Sequence, residues 1–176
     1  MLPSPYGPNA RFNSRYFPLH LGLVSTGDNF FPMGNWMVIG KDPFRFLLAV
    51  GVGNHSLTLL KKYKEAALHF FPWSERDWIV RAGHLSGRDV DKAQVLRRTL
   101  VPAQKLTSTR LVEGYEAVYE LVLNRELTML SREFALLVMD CVASAGSLEP
   151  QQRQPILFLS QEDFATLSEE RWEYTK

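Results

Sequence analysis

The sequence predicts a mainly β protein, a closed or nearly closed barrel with helices decorating it. Three observations carry this reading. Short apolar runs alternate with polar residues or read as fully enclosed strands; Gly, Asp, Asn and Pro clusters separate them; and only two intervening stretches change to a helical period. Roughly seven short strands and two helices follow from that count.

Residues 1–18 hold Pro3, Pro5, Pro8 and Pro18 among Gly7, Asn9 and Asn13, the composition of an extended arm. Its aromatics Tyr6, Phe12, Tyr16 and Phe17 need a surface to lie on, in this subunit or a neighbour. Strand material follows. Leu19, Leu21 and Leu23 alternate with His20, Gly22 and Val24 and reach a turn at Ser25-Thr26-Gly27-Asp28-Asn29. A second run, Met33 to Ile39, closes at Lys41-Asp42-Pro43, and a third, Phe46 to Val52, ends in Gly51-Val52-Gly53-Asn54.

The period then changes. Ser56 is placed as an N-cap, with Leu59, Leu60 and Tyr63 on one helical face opposite Lys61, Lys62 and Lys64. A strand over Ala66 to Phe71 stops at Pro72. Ser74 is expected to cap a second helix, with Glu75 and Asp77 in its first turn and Trp78, Ile79, Ala82 and Leu85 as its buried stripe. Gly83 and Gly87 mark its end. The second half returns to β structure: Tyr115 to Asn124 alternates, Phe134 to Val142 reads as a strand enclosed on both faces, and Ile156 to Leu159 is a last short strand. The polar C-terminus is compatible with a helix. The organisation expected is an arm over 1–18, one barrel domain over 19–160 and a tail over 161–176.

Composition narrows the partners. The 176 residues are 45% hydrophobic and 22% charged, ordinary for one globular domain with a substantial core. With 20 basic and 19 acidic side chains the formal net charge is +1, and no basic cluster stands out, so nucleic acid is set aside as a principal partner. No run approaches the roughly 20 apolar residues of a membrane span, and the opening Met1-Leu2-Pro3-Ser4-Pro5 lacks the features of a signal peptide. The single cysteine, Cys141, lies in an apolar stretch and reads as a packed core thiol. A reduced, cytoplasmic protein is the expectation.

Catalytic constellations are few. The chain has no HExxH, paired-cysteine, GxSxG or Walker pattern, and His20, His55, His69 and His84 lack metal-ligand spacing, so each reads as a surface or structural histidine. An enzyme of this kind would take its reactivity from a cofactor. Two segments stand out. Gly53-Asn54-His55-Ser56-Leu57-Thr58 joins a strand to a helix start, where free N–H groups and hydroxyls can hold an anion; a capped helix with no ligand is the commoner reading of such a pattern. Ser86-Gly87-Arg88-Asp89-Val90-Asp91-Lys92 combines a Gly turn with alternating charges, and it also reads as a polar loop after a helix.

Taken in order, these segments resemble the flavin-reductase-like, FMN-binding split β-barrel family, which includes small reductase components of two-component monooxygenases and flavoredoxins. The likeness runs from Phe17-Pro18 and Leu23-Val24-Ser25-Thr26 through Asn29-Phe30-Phe31-Pro32, Asp42-Pro43, the Ser56 junction, the Ser86-to-Lys92 segment and Glu113-Gly114-Tyr115. It covers about residues 17–160, and the Ser-Gly…Asp-Lys segment is its most specific piece.

The resemblance implies a Greek-key split barrel with flanking helices, a homodimer, and one FMN per subunit near the dimer interface. It places Asn35, Trp36, Met37, Val38 and Gly40 beside the isoalloxazine, Asn54, His55, Ser56 and Thr58 near the phosphate, and Lys92 close to the flavin or its ribityl chain. No residue is named as a catalytic acid or base. The implied activity is electron transfer from NADH or NADPH through FMN to an acceptor, in some relatives a partner monooxygenase. A flavin carrier or sensor, or a barrel that has lost FMN and serves in dimerisation or binds another ligand, are the alternatives. The chain departs from the family habit at Asn54 (often Arg), Gly40 (often a hydroxyl residue), Phe44 (often Pro) and Leu137 (often Gly).

Overall fold

The structure, a computed structural model, describes residues 18–127, 132–146, 154–160 and 163–167. The expected arm, apart from Pro18, and the expected tail, apart from residues 163–167, lie outside the described residues.

The chain opens with β1 (Leu19–His20), β2 (Gly22–Thr26), β3 (Asn29–Met33), β4 (Trp36–Lys41) and β5 (Phe44–Gly51). Two of the expected boundaries move. Ser25 and Thr26 are turn formers by composition, yet both are buried in β2, where Ser25 Oγ donates to the Arg110 carbonyl at 2.7 Å. The loop is therefore only Gly27-Asp28, with positive φ at Gly27 alone, the pattern of a II′ hairpin. The apolar run Met33 to Ile39 is not one strand. It breaks at Gly34-Asn35, between the end of β3 and the start of β4.

Next come α1 (His55–Tyr63), β6 (Glu65–Phe70), a 3-10 turn over Trp73–Glu75, and α2 (Arg76–His84). Both expected N-caps are corrected. Asn54 caps α1, its side chain accepting from the Ser56 amide at 2.9 Å, so Ser56 sits inside the first turn. Ser74 falls within the 3-10 turn, and Glu75 occupies the N-cap position of α2 without a side-chain capping bond. Its carboxylate instead accepts from Trp78 Nε1 at 2.6 Å and from Arg98 at 3.0 Å. Trp78, Ile79 and Ala82 form the buried stripe of α2 as expected, while Leu85 falls just past the helix and is half-buried.

The remaining elements are α3 (Lys92–Leu96), β7 (Leu100–Pro102), β8 (Arg110–Val112), β9 (Ala117–Leu127), β10 (Phe134–Gly146), β11 (Leu157–Ser160) and β12 (Asp163–Ala165). The short helix α3 and the β7–β8 hairpin carry too little periodic pattern to be read in advance. In β10, Ala135, Leu137, Val138 and Met139 are buried, but Val142 is 40% exposed, so enclosure on both faces fails in its second half. At the C-terminus Asp163–Ala165 is strand, pairing with β11.

Seven strands form one antiparallel sheet in the order β3-β2-β6-β9-β10-β5-β4. Its two edges, β3 and β4, are consecutive in the chain and joined only by Gly34-Asn35, yet they do not pair. The sheet thus curls into a barrel with one open seam. Phe46, Leu48, Leu68, Leu121, Leu137 and Met139 fill the interior, each at most 1% exposed. A second core, around Leu23, Phe30, Phe71, Trp78, Ile79 and Val112, lies between the sheet and α2. A separate three-stranded sheet, β1-β11-β12, stands beside the seam. No helix among the described residues is long and apolar enough to cross a membrane.

Candidate functional site

The seam is where a ligand can enter. A cavity of about 550 Å³ opens there, within the range of small-molecule sites. One wall is the end of β3 with the Gly34-Asn35 link, and another is Ala49-Val50-Gly51 at the end of β5 with the Asn54 cap. Val80, Gly83 and His84 of α2 form a third. Phe158 and Phe164 from β11 and β12, with Phe31 and Phe134, supply flat aromatic surface.

The expected site residues do not all meet there. Asn35 and Asn54 line the seam cavity. Trp36 and Val38 face a second cavity of about 230 Å³, among Phe44, Phe46, Phe70 and Tyr119. Trp36 Nε1 donates to the His20 carbonyl at 2.8 Å, which fixes its ring on the barrel's aromatic cluster. Met37 is 54% exposed on the edge strand. Gly40 is tightly confined: a Cβ would lie 3.0 Å from the Pro43 carbonyl, which leaves little room for a side chain. His55 and Lys92 face a third cavity of about 230 Å³ with Asp28, Asn29, Tyr63 and Asp91. Thr58 is exposed on α1, while Ser56 is buried, its Oγ accepting from Asn29 Nδ2 at 3.0 Å.

Lys92 is held by the fold. Asp91 caps α3, accepting from the Gln94 amide, and this turns Lys92 inward. Its Nζ donates to the Phe30 carbonyl at 2.8 Å and the Ala82 carbonyl at 2.9 Å. The first lies on the edge strand β3. The second is one of the last carbonyls of α2, which lack partners within the helix. Burial pushes the ammonium down to about 8, and a neutral amine would still carry two N–H groups for those two carbonyls.

Other ionisable groups serve the frame. Glu120, buried, accepts from the amides of Gln104, Lys105 and Leu106 and so anchors the loop between β7 and β8. Burial pushes the Cys141 thiol up, away from reactivity. Among the described residues no three His, Cys, Asp or Glu side chains are placed to hold a metal ion.

Sequence reasoning missed His84, Val80 and Gly83 as cavity residues. Their spacing of three and four along α2 was the available signal, since it marks a helix face beside the buried stripe. Phe158 and Phe164 had no local signal, because only tertiary folding brings them to the seam.

A family model described as flavin reductase like domain matches residues 14–168. The chain belongs to that family. Solved structures with the same fold include an FMN-binding protein from Thermus thermophilus with bound p-hydroxybenzaldehyde. It is 23% identical, with a TM-score of 0.83 over 97% of this chain and 98% of that one. Nitrilotriacetate monooxygenase component B from Bacillus cereus is 16% identical, with a TM-score of 0.80 over 99% and 98%. The NADH:FAD oxidoreductase of Streptomyces globisporus is 14% identical, with a TM-score of 0.75 over 88% and 89%. No curated protein sequence matches this family member.

Proposed function

We propose that the chain binds FMN in the seam cavity and passes electrons from a reduced nicotinamide nucleotide through it to an acceptor. The observation that carries this reading is the cavity itself. It opens between the edge strand β3, the Gly34-Asn35 link and the end of β5, in a flavin reductase like domain, and Phe31, Phe134, Phe158 and Phe164 can cover a planar ring. The residues present fit the group: aromatic walls suit the tricyclic ring, and Asn35 and Asn54 can hydrogen-bond its polar edge or its side chain. Bound there, the flavin supplies the hydride and electron chemistry; the chain's own side chains bind it, orient it and exclude water. The named activities of the Streptomyces and Bacillus proteins support NADH as donor and a monooxygenase as one class of downstream partner.

A second copy of the chain belongs to the reading. Met37, Val38 and Ile39 are consecutive apolar residues of the edge strand β4, exposed at 54%, 42% and 45%. Such an edge invites pairing or cover, and a two-fold partner is the commonest cover.

A flavin carrier is the second reading. Phenylalanines covering both faces of the ring would leave no face on which a nicotinamide could stack. The visible spectrum of the purified protein tests binding, and anaerobic addition of NADH and then NADPH tests turnover. Bleaching of a bound flavin is expected. A colourless protein that takes up no added FMN would remove the reading, and bound flavin that neither nucleotide bleaches would favour the carrier.

A further inference from the structure

The seam cavity contains a single ionisable side chain among its described lining residues, His84; the other polar ones are Asn35 and Asn54. This matters for a ligand whose phosphate carries about two negative charges at neutral pH. Three cations near α1 and α3 have partners within the chain. Lys92 Nζ sits on the Phe30 and Ala82 carbonyls, Lys61 pairs with Glu126 at 2.9 Å, and Lys62 lies over the Tyr63 ring. The start of α1 is partly filled as well. Asn54 Oδ1 takes the Ser56 amide, and the Asn54 carbonyl takes that of Leu57.

We propose that His84 is the anion-recognising residue of the cavity, its ring N–H donating to the phosphate of FMN. The assignment rests on the reading that FMN occupies the seam. Three features place His84 for the task. Gly83 lets the last turn of α2 press on β3, since a Cβ there would come within 2.9 Å of Pro32, and this sets the next residue at the seam. The His84 ring is exposed and makes no hydrogen bond or ion pair with the described residues, so its ring N–H is available to a ligand. Lys92 covers the Ala82 carbonyl, which offsets the negative pole that the end of α2 would otherwise turn toward an anion.

The test is a pair of fluorescence-quenching titrations, with FMN and with riboflavin, which lacks the phosphate. The wild-type chain is expected to prefer FMN. His84→Gln should lower FMN affinity about tenfold or more, as befits a lost charge-assisted bond, and leave riboflavin affinity unchanged. His84→Lys, which supplies another N–H donor, should recover most of the preference. An unaltered FMN-to-riboflavin ratio in His84→Gln, or equal weakening of both ligands, overturns the assignment. A wild-type chain that binds riboflavin and FMN equally overturns it too while sparing the flavin reading. One that binds neither overturns the flavin reading and this assignment together.

Discussion

The amide of Val112 donates to Nε2 of His69 at 3.1 Å, and this bond settles the state of a fully buried imidazole. Since Nε2 accepts, Nδ1 carries the proton and donates to the Leu23 carbonyl at 3.0 Å. The ring is neutral and joins β2, β6 and β8. Burial pushes it down to about 4 from an ordinary 6.5.

Acid stability follows from that shift. Between pH 6.5 and 4 the unfolded chain binds a proton at His69 that the folded chain refuses, so stability falls as pH drops through this window. The integrated effect is on the order of 3 kcal/mol. Urea midpoints measured from pH 7 to pH 4 should show the decline, and His69→Gln should flatten it. An identical slope in both proteins would place the acid sensitivity elsewhere.

Lys92 should matter for stability before ligand binding. Lys92→Met leaves the Phe30 and Ala82 carbonyls buried without a donor, at a cost of about 2 kcal/mol or more. The pH dependence of the wild type carries a second sign. With the folded ammonium lowered to about 8, the unfolded chain holds more protons between pH 8 and 10.5, so this group makes folding more favourable as pH rises there. Denaturation curves of the two proteins at pH 7 and pH 9.5 check both statements.

Gly87 is required for space. A Cβ at this position would collide with the Asn29 side chain, whose Nδ2 is bonded to Ser56. Gly87→Ala should therefore destabilise by about 1–3 kcal/mol, as overpacking does. Shortening the obstacle in Gly87→Ala/Asn29→Ser should recover part of the loss. Thermal melts of the three variants read the coupling, and strict additivity would argue against the contact.

Ser56 separates packing from ligand binding. Its buried hydroxyl serves Asn29, so Ser56→Ala should cost about 1 kcal/mol of stability. Its ratio of FMN to riboflavin affinity should stay at the wild-type value. A selective loss of FMN affinity would bring the phosphate back to the start of α1.

Self-association is tested at β4. Met37→Glu with Ile39→Lys puts charge on the exposed edge, where pairing would be penalised. Light scattering should show two chains for the wild type and one for the double variant. A wild-type monomer at all concentrations would remove the second copy from the proposed function.

Local pattern was enough for the β-rich class, for the buried stripe Trp78, Ile79 and Ala82, and for strands such as β5 and β9, because period and turn chemistry act over a few residues. The order of the segments pointed to the family that the match over residues 14–168 shows. What the Ser-Gly…Asp-Lys segment does was not legible, since Lys92 finds its carbonyls 62 and 10 residues away. Caps were misjudged by one or two positions where a neighbour competed: Asn54 outreached Ser56, and Glu75 was drawn to Trp78 and Arg98. The seam was hidden inside what reads as one apolar run, Met33 to Ile39, because hydrophobicity does not say which sheet edge a residue joins. Only the curled sheet decides that Gly34-Asn35 bridges two edges that never pair, and only tertiary folding brings His84, Phe158 and Phe164 to one cavity. Burial and long-range hydrogen bonding depend on the whole chain, and no window of sequence contains them.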